Sequence, residues 1–168
     1  MTTPADNGSV LHEDEELEQS KFLTFVLGPE SYGIDIQHVR EIIGIQHITV
    51  IPDVPPWVKG VINLRGKVIP VMDVRARFNL EERAYDGRTC IIVINVNDWW
   101  VGLVVDTVSE VLDIPADQIE KPPAVLSSGT EHFIEGLGKV DDKVRLLLDA
   151  PRLLGRANLS GRPVEAAV

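Results

Sequence analysis

The sequence predicts a mainly β protein: two small five-stranded barrels with short helices, packed on each other as an internal pseudo-repeat. Three observations predict it. Slid by 69 positions, residues 21–43 lie on 90–112 without a gap, so that Gly33 meets Gly102, Val39 meets Val108 and Glu41 meets Glu110. Slid by 76, residues 57–78 lie on 133–154; Trp57 meets Phe133, Gly60 meets Gly136, Lys67 meets Lys143 and Asp73 meets Asp149. Each copy is also a series of short β-rich runs punctuated by Gly, Pro, Asn and Asp, and closure into a barrel removes the exposed edges of such strands.

In the first copy, Phe22–Leu27 is a β-rich run, residues 28–31 read as a turn, and Tyr32–Ile34 starts a second strand. Asp35 reads as the N-cap of a helix whose apolar face is Ile36, Val39, Ile42 and Ile43, with Gly44 placed to end it. His47–Ile51 is a short strand, followed by the breakers Pro52, Pro55 and Pro56. A hairpin then runs from Val61 to Met72, turning at Arg65-Gly66. Pro70 cannot donate to a ladder, so it marks an edge or a bulge. Asp73 caps a short helix, Val74 to Phe78, and polar residues 79–88 join the copies.

The second copy replays this. Cys90–Val96 and Trp99–Val105 flank a turn at Asn97-Asp98, and Val108, Val111 and Leu112 repeat the first helix. A longer linker carries Lys121-Pro-Pro and Ser127–Thr130, which accounts for the seven-residue difference between the two shifts. Phe133–Val140 and Val144–Leu148 form the second hairpin around Asp141-Asp142. Asp149 caps a helix over Pro151–Leu154 that Gly155 stops. The units read as SH3-like barrels; the repeat alone leaves open whether they exchange strands.

The 168 residues suffice for one domain, or for two small ones sharing a core. The net charge is −10, of which residues 1–20 supply −6 through Asp6, Glu13, Asp14, Glu15, Glu16 and Glu18 with no Lys or Arg. Residues 1–19 therefore read as an acidic disordered tail and 156–168 as a flexible C-terminal tail. Residues 20–155 form the domain, with copies at roughly 20–80 and 88–155. No basic patch is concentrated in sequence, which disfavours nucleic acid. No run approaches the ~20 apolar residues of a membrane helix, and no signal peptide is read. Cys90 is the only cysteine, which excludes an internal disulfide and fits a cytoplasmic protein.

No catalytic constellation is found. Gly136-Leu-Gly-Lys139 lacks the first glycine of a phosphate loop and is followed by Val140, so it reads as a hairpin strand. His12, His38, His47 and His132 have no metal-ligand spacing with one another or with Cys90, which reads as an inert thiol in an apolar strand. No metal, cofactor or enzyme activity is expected. What remains is surface chemistry. Arg65 is not required for the turn it sits in, so it reads either as a solvated arginine or as one held for a partner's carboxylate or carbonyls. Glu41, placed on the helix face opposite Ile36, Val39 and Ile43, can orient Arg65. Val39 and Ile42 are core residues or lining for a partner helix. Trp57 reads as a barrel plug. Trp99 and Trp100 face opposite ways along a strand, one filling the seam between barrels or offered to a partner.

Together Tyr32–Ile36, Val39–Ile43, Ile51-Pro52, Trp57–Gly66, Val68–Asp73 and Arg77-Phe78 resemble the CheW family of bacterial chemotaxis coupling proteins, and the likeness continues from Gly102 to near Leu154. The resemblance implies two SH3-like barrels with no catalytic activity. It also implies two partners, the cytoplasmic tip of chemoreceptors and the CheW-like regulatory domain of the CheA histidine kinase. Carried over by position, the receptor-facing residues are Val39, Glu41, Gly60, Asn63, Arg65, Val105 and Val108. The kinase contact is implied to be an apolar barrel-to-barrel surface without assigned residues.

Overall fold

The computed structural model describes residues 21–123 and 133–155. Both predicted tails and the Ser127–Thr130 linker lie outside the described residues. Among the described residues eleven strands fall into two sheets. They are β1 (Lys21–Leu27), β2 (Glu30–Asp35), β3 (Val39–Gly44), β4 (Val58–Leu64), β5 (Lys67–Asp73), β6 (Cys90–Val96), β7 (Trp99–Val105), β8 (Thr107–Asp113), β9 (Ile119–Glu120), β10 (Ile134–Val140) and β11 (Lys143–Leu148). One sheet runs β8-β1-β2-β11-β10-β9 and the other β3-β6-β7-β5-β4.

The two copies repeat in structure as they do in sequence, but neither sheet is one copy. β1 and β2 pair antiparallel, yet β1's other neighbour is β8 and β2's is β11, both from the second copy. Reciprocally, the β6–β7 hairpin inserts between β3 and β5 of the first copy. The copies thus exchange their leading hairpins. Each barrel contains strands from both halves of the chain, so neither half can close alone.

Exchange also explains the core. The exchanged strands are buried on both faces. Leu23, Phe25 and Leu27 alternate with Phe22 and Thr24 on β1, and Ile92, Ile94 and Val96 alternate with Ile91 and Val93 on β6. One alternation set faces the other sheet and builds the largest apolar cluster, with Ile34, Met72, Leu103, Val105, Phe133 and Leu153. The other set fills the barrels: Ile62, Ile69, Val71, Ile91 and Val93 in one, Phe22, Ile114 and Leu147 in the other. The seam, not either barrel, is the main core; each fully buried side chain of this kind contributes about 1.5–3 kcal/mol before ordering costs.

One expectation fails in both copies. The helix read over Ile36–Ile43 is a single 3-10 turn, Ile36–His38, followed by β3; its counterpart around Val108–Leu112 is β8. Asp35 still caps, accepting from the Gln37 N–H at 3.0 Å. The apolar positions fit both periods over so short a stretch. The β-branched Val39, Ile42 and Ile43, together with an open ladder on β6, decide for the strand. The half-buried residues are now Val39, Glu41 and Ile43, alternating with exposed Arg40, Ile42 and Gly44. The register with β6 shifts between Val39 and Glu41, so Val39 pairs with Ile94 on the seam face while Glu41 and Ile43 pair with Val93 and Ile91 on the barrel face; Glu41 thus shares a face with Ile43 but not with Val39.

The terminal caps are as read. Asp73 accepts from the Ala76 N–H at 3.3 Å, and Asp149 from the Arg152 N–H at 3.0 Å. Gly155 closes the last helix at φ 55°. Pro70 lies where β5 leaves β7, since that pairing begins at Val71. Of the predicted His47–Ile51 strand, one bridge forms, between Thr49 and Val61. Trp99 packs against the seam and Trp100 against a barrel interior, with Lys67 Nζ 3.9 Å from the Trp100 ring.

Candidate partner-binding site

The five-stranded sheet begins at β3 and ends at β4, and three contacts bring these ends together. Thr49, five residues beyond β3, exchanges backbone hydrogen bonds with Val61 at 2.8 and 2.9 Å. Gln46 Nε2 donates to the Asn63 carbonyl at 3.4 Å. Arg65, at the β4–β5 turn, forms a two-point ion pair with Glu41 of β3, Nη1 to Oε1 at 3.3 Å and Nη2 to Oε2. This pairing raises the guanidinium pKa above its ordinary value.

The turn itself is unusual. Arg65 has φ 52° and Gly66 φ 87°, the left-handed pair of a two-residue hairpin. The equivalent turns use Asn97-Asp98 and Asp141-Asp142, residue types that tolerate this region. Arginine does not favour it. Asn63 steadies the turn by accepting the Gly66 N–H on Oδ1 at 2.8 Å. The Arg65 side chain is 71% exposed and that of Glu41 28%. The turn thus presents a cation outward while a half-buried carboxylate fixes its direction. The second copy has Glu110 opposite Asp141 at the corresponding positions, so this pair marks one barrel only.

The other positions divide. Val39 and Val108, equivalent under the repeat, are half-buried and pack on the rim of the seam cluster. They are joined there by Ile36. Val105 is 1% exposed inside the seam and presents no surface to a partner. Gly60 is buried too. A Cβ there would stand 1.9 Å from the Thr49 carbonyl oxygen, at φ 144°. A close approach is made at Gly60, but by the chain's own segment after β3. Gly60 therefore seats the strand that carries Asn63 and Arg65 and does not itself meet a partner.

Three side-chain groupings escaped the sequence reading. Asp106, 8% exposed, accepts from the Gly28 N–H, from Arg75 Nε and Nη2 at 2.8 Å and from Arg83 Nη1 at 2.9 Å. The Arg75 hydrogen bonds, before the other donors, hold its carboxyl down at about 2. Arg77 lies 4.3 Å from the Trp57 ring and 4.5 Å from Phe133, and its Nε donates to the Leu153 carbonyl at 2.9 Å. Burial lowers its pKa. Tyr85 donates to Asp73 Oδ2 at 2.7 Å, and its pKa is raised, first by burial. These partners are 12 to 78 residues apart in sequence, so no local spacing announces them. Among the described residues no group of three or more His, Cys, Asp or Glu is placed to hold a metal ion, and no helix is long and apolar enough to cross a membrane.

Comparison with known proteins places this geometry. A family model described as a CheW-like domain matches residues 21–158. The chemotaxis protein CheW of Klebsiella aerogenes is 39% identical over 83% of this chain and 84% of its own length. Protein PilI of Pseudomonas aeruginosa is 26% identical over 74% of this chain and 70% of its own. The crystal structure of the scaffolding protein TtCheW from Thermoanaerobacter tengcongensis superposes with a TM-score of 0.73 at 40% identity, covering 78% of this chain and 89% of that one. The chain belongs to the CheW-like family.

Proposed function

We propose that this protein is a non-enzymatic scaffold that couples transmembrane chemoreceptors to a CheA-type histidine kinase in a chemosensory array. The observation that carries the reading is the outward-held Arg65, on a turn where arginine is not the residue the backbone prefers, oriented by Glu41. A receptor tip offering carboxylates or free helix-end carbonyls would meet a cation already pointed at it, which lowers the ordering cost of binding. Val39 and Val108, packed against the seam cluster, would supply apolar contact, and Asn63 holds the turn. The kinase's regulatory domain would pair through a barrel-to-barrel surface. Binding receptor and kinase together fixes their relative geometry, and repetition across an array turns weak contacts into avidity. A receptor rearrangement then shifts the kinase between states only by its differential contact with each. The protein would act in the cytoplasm, recruited to membrane-associated arrays without inserting, and its acidic charge argues against nucleic acid as a partner.

The test is co-sedimentation of the purified chain with a receptor cytoplasmic fragment. Binding by the parent and loss in Arg65→Ala with unchanged circular dichroism supports the reading. Equal binding by both removes Arg65 from the site. The likeness to PilI favours one second reading, the same adaptor role in a pathway with a non-flagellar output. The receptors and kinase that the chain co-sediments with decide between them.

A further inference from the structure

The two barrels are filled differently. In the five-stranded barrel, Val93 and Ile69 are 0% and 1% exposed and pack in its interior. Under the repeat, Thr24 and Arg145 occupy those positions in the six-stranded barrel. Among the described residues the interior there retains Phe22, Ile114 and Leu147 as its buried apolar cluster, and the barrel opens as a cleft of about 510 Å³ lined by Thr24, Ser109, Lys143 and Arg145 among others.

Arg145 is 8% exposed. Its Nη1 donates to the Val140 carbonyl at 2.8 Å, while Nε is buried with no acceptor. No carboxylate among the described residues forms an ion pair with it. Thr24 does not help, because its hydroxyl is committed to the backbone of Glu110, donating to the carbonyl at 2.8 Å and accepting the N–H at 3.2 Å. Glu30 and Glu110 line the same cleft but are exposed at its rim, where water competes for them. A guanidinium held this deep, with its buried Nε–H unpaired, is a costly arrangement unless an anion completes it.

The chain carries such an anion next door. Residues 1–20 hold six carboxylates and no Lys or Arg, and run directly into β1, whose Thr24 lines the cleft. Thr24 lies three residues into β1, roughly 10 Å from Lys21. Glu13–Glu16 lie five to eight residues before Lys21, about 17–28 Å of extended chain, so they span the return. We propose that the open end of the six-stranded barrel is a carboxylate-binding site, and that the acidic stretch of residues 1–20 supplies the carboxylate in cis. Attachment in cis makes even a weak contact populated, since the effective concentration of a segment joined by a short linkage is in the mM range.

The test compares the full chain with a full-length variant in which Asp6, Glu13, Asp14, Glu15, Glu16 and Glu18 are changed to Asn or Gln, by ¹H–¹⁵N NMR. The expected result is a shift of the Thr24, Ser109 and Lys143 amides and of the Arg145 Nε–H, with the Arg65 turn unmoved. A peptide of residues 1–20 added to the neutralised variant restores the shifts saturably, and high salt reverses them. Arg145→Leu abolishes the response and melts at or above the parent, since Ile69 fills the matching position in the other barrel. If Arg145→Leu misfolds, the neutralised variant and the peptide still decide the matter. Acetate moving the same resonances while neutralisation and peptide do not would overturn the in-cis source and leave a site for free carboxylates. No shift from neutralisation, peptide or acetate overturns the site itself.

Discussion

Arg65 donates to Glu41 across the line where the two ends of the five-stranded sheet meet, Nη1 lying 3.3 Å from Oε1. The pair is a bridge between the first and last strands, and also the means by which an exposed guanidinium is given one direction. These two roles predict different things. As an exposed pair it adds little to stability; as a positioning device it governs a binding face.

Replacing Arg65 by Asn separates the two. Asn suits φ 52° better than Arg, so the thermal midpoint should stay level or rise, by less than about 4 °C. Receptor-fragment affinity should fall by about tenfold or more, as for a central arginine anchor. Differential scanning calorimetry and a binding titration on the same preparation check both. Glu41→Gln should weaken binding less than Arg65→Asn, because the cation remains but loses its guide.

Gly60→Ala tests the seat of the turn. The new Cβ meets the Thr49 carbonyl oxygen at 1.9 Å, a backbone atom that cannot rotate away, at a φ unsuited to L side chains. The expected loss is at least about 2 kcal/mol in urea denaturation. Any loss of partner binding in this variant should track loss of structure by circular dichroism, in contrast to Arg65→Asn.

Asp106 gives a pH prediction. Its folded pKa, about 2, lies below its ordinary carboxylate value, so its contribution is present above about pH 4 and is lost as pH falls toward 2. Asp106→Asn should destabilise at pH 7 by about 2–4 kcal/mol, since Arg75 would keep its burial without its counter-charge. The penalty should shrink between pH 4 and 2. Urea midpoints at pH 7, 4 and 2.5 measure it.

Arg77 joins the two copies through rings and a carbonyl at once. Arg77→Ala should cost about 2 kcal/mol, combining a lost charge-assisted hydrogen bond to Leu153 with two cation–ring contacts. Trp57 emission should shift as its stacked cation is removed. Arg77→Lys should recover only part of the loss, because an ammonium cannot stack as a planar guanidinium does.

The repeat, the hairpin turns, the Asp73 and Asp149 caps and the β class were legible because each is written in a few adjacent residues. The exchange of hairpins was not, since a repeat read along the chain is identical whether copies close alone or swap. The stretch after Asp35 was misread because Ile36, Val39, Ile42 and Ile43 satisfy a helical spacing while ladder pairing with β6 sets the outcome. The Glu41–Arg65 partnership was legible as a possibility, although on the wrong element. Val105 and Gly60 were not separable from surface residues, because burial in the seam and the approach of Thr49 arise only from tertiary packing. Asp106, Arg75 and Arg83 were invisible for the same reason.

Coupling is measured by reconstituting receptor fragment, CheA-type kinase and this chain, and following receptor-dependent kinase autophosphorylation beside Arg65→Asn. The parent should raise the rate only when receptor and kinase are both present, and Arg65→Asn, fully folded, should not. Kinase activity independent of this chain, or an Arg65→Asn chain as effective as the parent, would contradict coupling through Arg65.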